Sequence, residues 1–322
     1  MAVPTAELSN QLNAGERLRV IISTDIGGSD PDDFQSMVHY LTYADVFETE
    51  GLISSPPHGG RVKDILECIA EYEKDYVNLR TWSRDYPPPE ALRLVARQGA
   101  ILPQSGNQPA AEISEGAKLL IERAKCEDSR PLYVLVWGSI TDLAQAVQKD
   151  PTIKANLRVY SIGSWNTQND IKARNYLFNN HRDLWWIEND STFRGMYMGG
   201  VQNDDLGNRG FVEKNIKGHG HLGALFMRNL SLEKKDLKMG DTPSVLYLLR
   251  GDPDKPETAH WGGAFVQPDP DTRPVYWHDN PNESLSFRGM KGANTVNRWR
   301  KEYLLDWKRR MDRLTTRKPA KK

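Results

Sequence analysis

Four aspartates crowd one short stretch of this sequence. In RVIISTDIGGSDPDDFQSMVHYL, residues 19–41, an apolar run stops at Asp25, and Asp30, Asp32 and Asp33 follow within eight residues. Carboxylates this close repel one another unless they cap a helix or share a cation. Capping accounts for part of the pattern. Asp30 has the chemistry of an N-cap, Pro31 suits a first helical position, and Asp32 and Asp33 sit where a helix macrodipole favours negative charge. Capping does not account for Asp25 at the end of the apolar run, nor for the Gly27-Gly28 pair, which lets the backbone curl back tightly. Carboxylates gathered in one loop suit a hard cation with oxygen ligands, calcium more readily than magnesium. Zinc is disfavoured, because no Cys or His pair stands at zinc spacing. A calcium ion so held binds vicinal sugar hydroxyls and acidifies a water beside a carboxylate base. That is the chemistry of glycosidic hydrolysis through an oxocarbenium-like transition state.

The elements around the cluster must bring it to a binding face. LRVIIST is a short β-branched run of the buried, parallel type. Residues 31–44 carry Phe34, Met37, Val38 and Leu41 at helical spacing. FETEGLISS is expected as a strand, 61–82 as a long helix, ALRLVARQGA as a shorter helix and SGNQPA as a polar turn, before a helix over 114–125. PLYVLVWG, LRVYSIGS and DLWWIEN are further strands. SITDLAQAVQKD is the helix after the first of them, and WNTQNDIKARNYLFNNHRD is a polar segment read as loop. A short helix is expected over 243–250, loops with some strands over 251–292, and an amphipathic helix over NTVNRWRKEYLLDWKRRMDRL. The alternation predicts an α/β fold with a mostly parallel open sheet and helices on both faces. One domain over 1–322 is expected, with a core of about 18–250 and a C-terminal loop region and helix over 251–315. In such a sheet ligands bind at the carboxyl ends of the strands. The Asp25–Asp33 loop, SSPPHGG, WGSITD and SWNTQND all fall there.

Composition narrows the classes. Lys plus Arg equals Asp plus Glu, 43 each, so the chain lacks the basic excess of a nucleic-acid or membrane-surface binder. No apolar stretch reaches the ~18 residues of a membrane span. The first residues have neither basic region nor apolar core, so no signal peptide is expected and a cytoplasmic location is favoured. Cys68 and Cys126 are isolated and read as inert thiols. Oligomeric state is left open, and a homo-oligomer is compatible with the sequence.

STDIGGSDPDDFQSM resembles the D-x-D-P-G-x-D-D-A signature of the nucleoside hydrolases. Within that superfamily the likeness is to the nucleoside hydrolase-like family once loosely described as cellulose-binding proteins. Asp25 matches the aspartate before the Pro-Gly pair, and Asp32 and Asp33 match the pair opening the helix. Here Ile26 replaces Pro and the loop is longer, which makes Asp30 a rival ligand. LVWGSITDLAQAV resembles the segment whose residue before Gly lends a carbonyl to calcium, the place of Trp137. MGDTPSVLYLL resembles the late H-D-P segment, with Asp241 in the aspartate's place and Gly240 in the His's.

The resemblance implies that Asp25, Asp33, the Trp137 carbonyl and Asp241 ligate Ca2+. It further implies that Asp25 is the base for the attacking water and that Asp32 holds a sugar hydroxyl. Asn166, Asp170 and Asn180 are the candidates for holding the ribose, and Trp261, in a Gly-rich loop, for stacking on a base or sugar. Trp165 is a further aromatic candidate. With Gly240 unable to donate a proton, His58, His219 and His221 are the histidines that could approach from other loops. Three functions follow: calcium-dependent hydrolysis of a ribonucleoside N-glycosidic bond, O-glycoside hydrolysis of a furanoside or other carbohydrate, and carbohydrate binding without catalysis. In each the partner is a small-molecule nucleoside or sugar.

Overall fold

A computed structural model describes residues 17–28, 30–57, 61–103, 112–230 and 236–319. The SGNQPA turn and His58 lie outside the described residues. The strands are β1 Leu18–Thr24, β2 Phe47–Ser54, β3 Ala96–Gln98, β4 Leu132–Val136, β5 Leu157–Ile162, β6 Trp186–Asn189, β7 Phe265–Val266 and β8 Tyr276–Asp279. The helices begin with α1 Asp32–Thr42, α2 Val62–Trp82, α3 Pro89–Val95, α4 Glu115–Ala124, α5 Thr141–Lys149 and α6 Trp165–Asn169. They continue with α7 Ile171–Asn180, α8 Asn208–Asn215, α9 Gly220–Arg228, α10 Thr242–Leu249, α11 Ala293–Asn297 and α12 Arg300–Thr315.

The strands form one sheet in the order β3-β2-β1-β4-β5-β6-β8-β7. Every pairing is parallel except β7 with β8. Successive side chains of a strand point to opposite faces, so each central strand feeds two cores. Val20 and Ile22 join Leu135, Tyr160 and Ile187 on one face, where Met37 of α1, Ile69 of α2, Phe226 of α9 and Trp307 of α12 pack. Ile21 joins Val134, Val136 and Val159 on the other, against Leu120 of α4, Val147 of α5 and Leu177 of α7. The expected α/β sheet with helices on both faces is therefore present.

Three expectations need correction. ALRLVARQGA is split: α3 stops at Val95, and Ala96–Gln98 pairs with β2 as the edge strand. The segment after β5 is two helices, α6 and α7, rather than loop. Of α7 only Ala173 and Leu177 are buried, too few to give an apolar stripe. The C-terminal helix is divided by Arg298 and Trp299 into α11 and α12. No described helix is long and apolar enough to cross a membrane.

Candidate metal centre at the strand ends

From β1 the sheet proceeds to β2 on one side and to β4 on the other, a topological switch point whose carboxyl edge opens a crevice. Asp25 follows the last residue of β1, and Trp137 follows the last of β4. The two strand ends are tied, Trp137 N–H donating to the Ser23 carbonyl at 2.7 Å. Gly138 lets them close up, because a Cβ there would lie 2.7 Å from both the Asp25 Cβ and the Ser55 hydroxyl. The loop after Asp25 turns back at Gly27, with φ +95, and delivers the chain into α1 at Asp32.

Asp33 is buried, and its Oδ1 accepts from the Thr24 hydroxyl, which itself accepts from Ile26 N–H at 3.2 Å. Asp241 precedes α10 and is buried, yet its side chain does not cap that helix. One carboxylate oxygen from each of Asp32, Asp33 and Asp241 lies within 4.8 Å of the others. Asp25 hydrogen-bonds Asp33 beside this trio. The acidic set gathered closest thus includes Asp32, expected only as a hydroxyl holder, and has Asp25 at its flank. Asp30 lies apart. It is exposed, pairs with the Lys238 ammonium, and leaves the N-cap position to Pro31.

These carboxyls cannot all ionise unaided. Burial pushes Asp25 up to about 7, with the Asp33 hydrogen bond opposing and the Asp32 charge adding to the rise. Burial and then the neighbouring carboxylates hold Asp32, Asp33 and Asp241 well above the usual range. The Asp241 Oδ2 is buried and has no hydrogen-bond partner. A divalent oxygen-seeking cation fits this donor set: it would satisfy that oxygen and relieve the repulsion. The Trp137 carbonyl accepts from Asn166 Nδ2 at 2.7 Å, leaving its second lone pair for a ligand.

Gln35, a residue the sequence did not single out, braces the centre. Fully buried on α1, it donates to the Asn229 and Asp236 carbonyls at 2.9 and 3.2 Å. It accepts from the Lys238 and Met239 amides at 2.8 and 3.1 Å. The helix bearing Asp32 and Asp33 thus grips the loop bearing Asp241. That loop contains Met239 at φ 48, a conformation that L side chains rarely adopt and that needs such holding.

The other expected residues scatter. Asn166 spends its amide donor on the Trp137 and Ile162 carbonyls, joining the ends of β4 and β5. Asp170 is buried and accepts from Thr141 Oγ1 at 2.5 Å, which ties α7 to α5. Asn180 is exposed at the end of α7, its amide bonded to Tyr176 O. A helix connecting parallel strands ends at their amino edge, so Asn180 lies opposite the carboxylates. Trp261 is a core side chain, with the Arg250 guanidinium 5.3 Å from its ring. The Trp261 backbone N–H donates to the Arg250 carbonyl at the end of α10 remote from Asp241. His219 and His221 lie beside Asp312 and Glu71, on the α2 and α12 side.

Two features of this edge escaped the sequence reading. Asp190 follows β6 as Asp25 follows β1, and it pairs with His278 of β8 at 3.2 Å. Burial lowers the His278 pKa, but Asp190 and Asp279 outweigh it and hold the imidazole above its usual value. Ser164 sits at φ 59 with no sequence signal to mark it, while Trp165 beside it is 59% exposed.

Fold and centre together define an α/β protein of nucleoside hydrolase-like architecture. The chain belongs to the family described as cellulose-binding Sde182, nucleoside hydrolase-like domain, which matches residues 19–265. Among solved structures, a nucleoside hydrolase-related protein from Saccharophagus degradans associated with carbohydrate metabolism is 24% identical, with TM-score 0.71 over 93% of this chain and 72% of that one. The type III effector XopQ, complexed with adenosine diphosphate ribose, is 13% identical, with TM-score 0.53 over 93% and 94%. An inosine-guanosine nucleoside hydrolase is 13% identical, with TM-score 0.51 over 92% and 98%. At these identities the likeness is one of fold. Among curated proteins none matches the chain.

Proposed function

We propose that this protein is a calcium-dependent glycosidase that hydrolyses the N-glycosidic bond of a ribonucleoside or related riboside. The observation that carries the reading is the buried Asp241 carboxylate, one oxygen of which has no partner, gathered with Asp32 and Asp33 at the switch point of the sheet. Asp33, Asp241, Asp32 and the Trp137 carbonyl are the groups that would hold calcium. When bound, the ion supplies fixed positive charge that engages vicinal sugar hydroxyls and acidifies a water. Asp25, at the flank of the trio, accepts the proton of the attacking water as it adds to the anomeric carbon. Asp32, the most exposed of the trio, holds a sugar hydroxyl as well. Thr24 fixes the Asp33 rotamer by donating to it, and Asn166 orients the Trp137 carbonyl. The leaving group departs without help from residue 240, which is glycine.

A second reading has one observation in its favour. Beyond β8 lies an open groove lined by His278, Asn280 and Asn282 among Val266, Pro268 and Pro281, which gives room for the larger substrate of O-glycoside hydrolysis, a furanoside or other carbohydrate. The test is reaction of the calcium-loaded protein with p-nitrophenyl riboside, inosine, uridine and several furanosides, with chelator controls. Chelator-sensitive release of base or nitrophenol is expected, its loss in Asp25→Ala included, and the preferred leaving group chooses between the readings. Binding of these compounds without turnover would sink both and leave a carbohydrate-binding protein.

A further inference from the structure

Arg194 is a cation without an anion. It lies half-buried in the 3-10 turn Thr192–Met196 that follows β6. Its guanidinium donates to the Asp190 main-chain carbonyl at 2.7 Å and to the Ser164 hydroxyl at 2.9 Å. Both acceptors are neutral, and among the described residues no carboxylate pairs with it. The Asp190 carboxylate is taken by the Ser164 N–H at 2.6 Å and by His278 at 3.2 Å. Arg174 on α7 shows the ordinary arrangement, its charge met by Glu188 at 2.6 Å. A guanidinium keeps its proton at any ordinary pH. One that is half-buried, held in place and left with N–H donors unspent has the build of an anion site.

This cation adjoins the metal centre. A Cβ on Gly240 would lie 2.5 Å from Asp32 Oδ2 and 3.6 Å from Phe193 Cδ2, and Arg194 Cζ is 4.4 Å from the centre of that same Phe193 ring. Tyr197 is a second link. Burial pushes its phenol up to about 12, Arg194 and Lys238 oppose the rise, and Asp32 and Asp30 add to it, so the phenol stands among all four charges. Lys238 is committed to Asp30, which leaves Arg194 as the cation for a ligand. Ser164 supplies a second group. Its hydroxyl accepts from Arg194 and, among the described residues, donates to none, while the bond to Asp190 holds its backbone at φ 59, the kind of strain that gathers at ligand sites.

We propose that Arg194 and Ser164 bind a phosphate monoester on the sugar of the substrate, so that the site takes a phosphorylated riboside in preference to the free one. The proposal rests on the ribonucleoside reading above. There the vicinal hydroxyls engage calcium and the base leaves from the anomeric carbon, so the primary carbon of the ribose is the position left to carry the phosphate. Guanidinium and hydroxyl donors together suit its charged oxygens. The test is calorimetric binding of inosine and inosine 5′-monophosphate to the calcium-loaded full chain made inactive by Asp25→Asn, with turnover of both by the native protein. The monophosphate should bind about tenfold or more tighter and be hydrolysed with a kcat/KM higher by a similar factor. Arg194→Met should remove most of the gain in binding and Ser164→Ala about threefold of it, with calcium affinity as in the parent. Equal affinity for the two compounds, or a gain that both variants keep, as direct ligation of calcium by the phosphate would give, would overturn the anion site. Arg194-dependent binding of the monophosphate by a native protein that hydrolyses neither compound would refute the hydrolase reading alone. Hydrolysis of inosine with no gain from the phosphate would refute the anion site alone.

Discussion

Glu188 at β6 and Asp241 ahead of α10 are buried to nearly the same degree, 1% and 3% exposed, yet their surroundings differ in kind. Glu188 accepts from the Arg174 guanidinium at 2.6 Å and from the Tyr276 hydroxyl at 2.5 Å. Its charge is neutralised and its lone pairs are used, so it needs nothing from outside. Asp241 has one oxygen with no partner and its nearest charged neighbours are other carboxylates. A buried acid of the first kind holds the fold together, whereas one of the second kind stays ionised only with a ligand. The difference separates scaffold from site more sharply than burial does.

Exchanging each acid for its amide tests this contrast. Asp241→Asn should lower calcium affinity by more than ~10²-fold, beyond what outer partners of a metal site command, and hydrolysis should fall with it. Without calcium the same variant should melt higher than the parent, because a repelling carboxyl is gone. A lower melting temperature would remove the argument from repulsion. Glu188→Gln should do the reverse: about 1.5–3 kcal/mol of stability lost in denaturant unfolding, since the half-buried Arg174 loses its counter-charge, with calcium affinity unchanged.

Gln35→Leu sharpens the comparison by releasing the loop that carries Asp241 from α1. If the clamp positions Asp241, calcium affinity should drop about tenfold, and the rise in melting temperature that saturating calcium gives should shrink. An equal loss of stability with and without calcium would mean that Gln35 serves the fold alone. The smallest effect concerns pH. Asp25 has a folded pKa raised to about 7, so the stability it contributes without calcium is full below the ordinary carboxylate range and is lost as pH rises through about 7. Calcium binding must displace protons, and its affinity should climb from pH 5 to 7.5. Thermal melts at both pH values, with and without calcium, should therefore diverge most at the higher one. A calcium increment independent of pH contradicts this assignment.

The parallel framework was legible because its strands are short apolar runs closed by Gly or Asp, and because a strand end is where a ligand site forms. LRVIIST, PLYVLVWG and LRVYSIGS announced themselves this way, and the Asp25 cluster fell where the rule puts it. β3 was not legible: three residues following a helix carry no period of their own. Nor was β8, since YWHD lies in a Pro- and Asp-rich stretch, and only its pairing with β6 makes it a strand. The structure gathers Asp32 and Asp33, neighbours in sequence, with Asp241, whereas Asn180 and Trp261 lie away from them. Their side chains have suitable chemistry, but the direction of α7 and the packing of α10 carry them away from the edge. Gln35 gave no signal, because its four partners come from a loop some two hundred residues later.

Gly240 has a consequence for the carboxylate beside it. A Cβ at that position would lie 2.5 Å from Asp32 Oδ2, so any side chain there displaces the present rotamer of Asp32. The bare backbone at 240 thus leaves room for Asp32 to stand with Asp33 and Asp241.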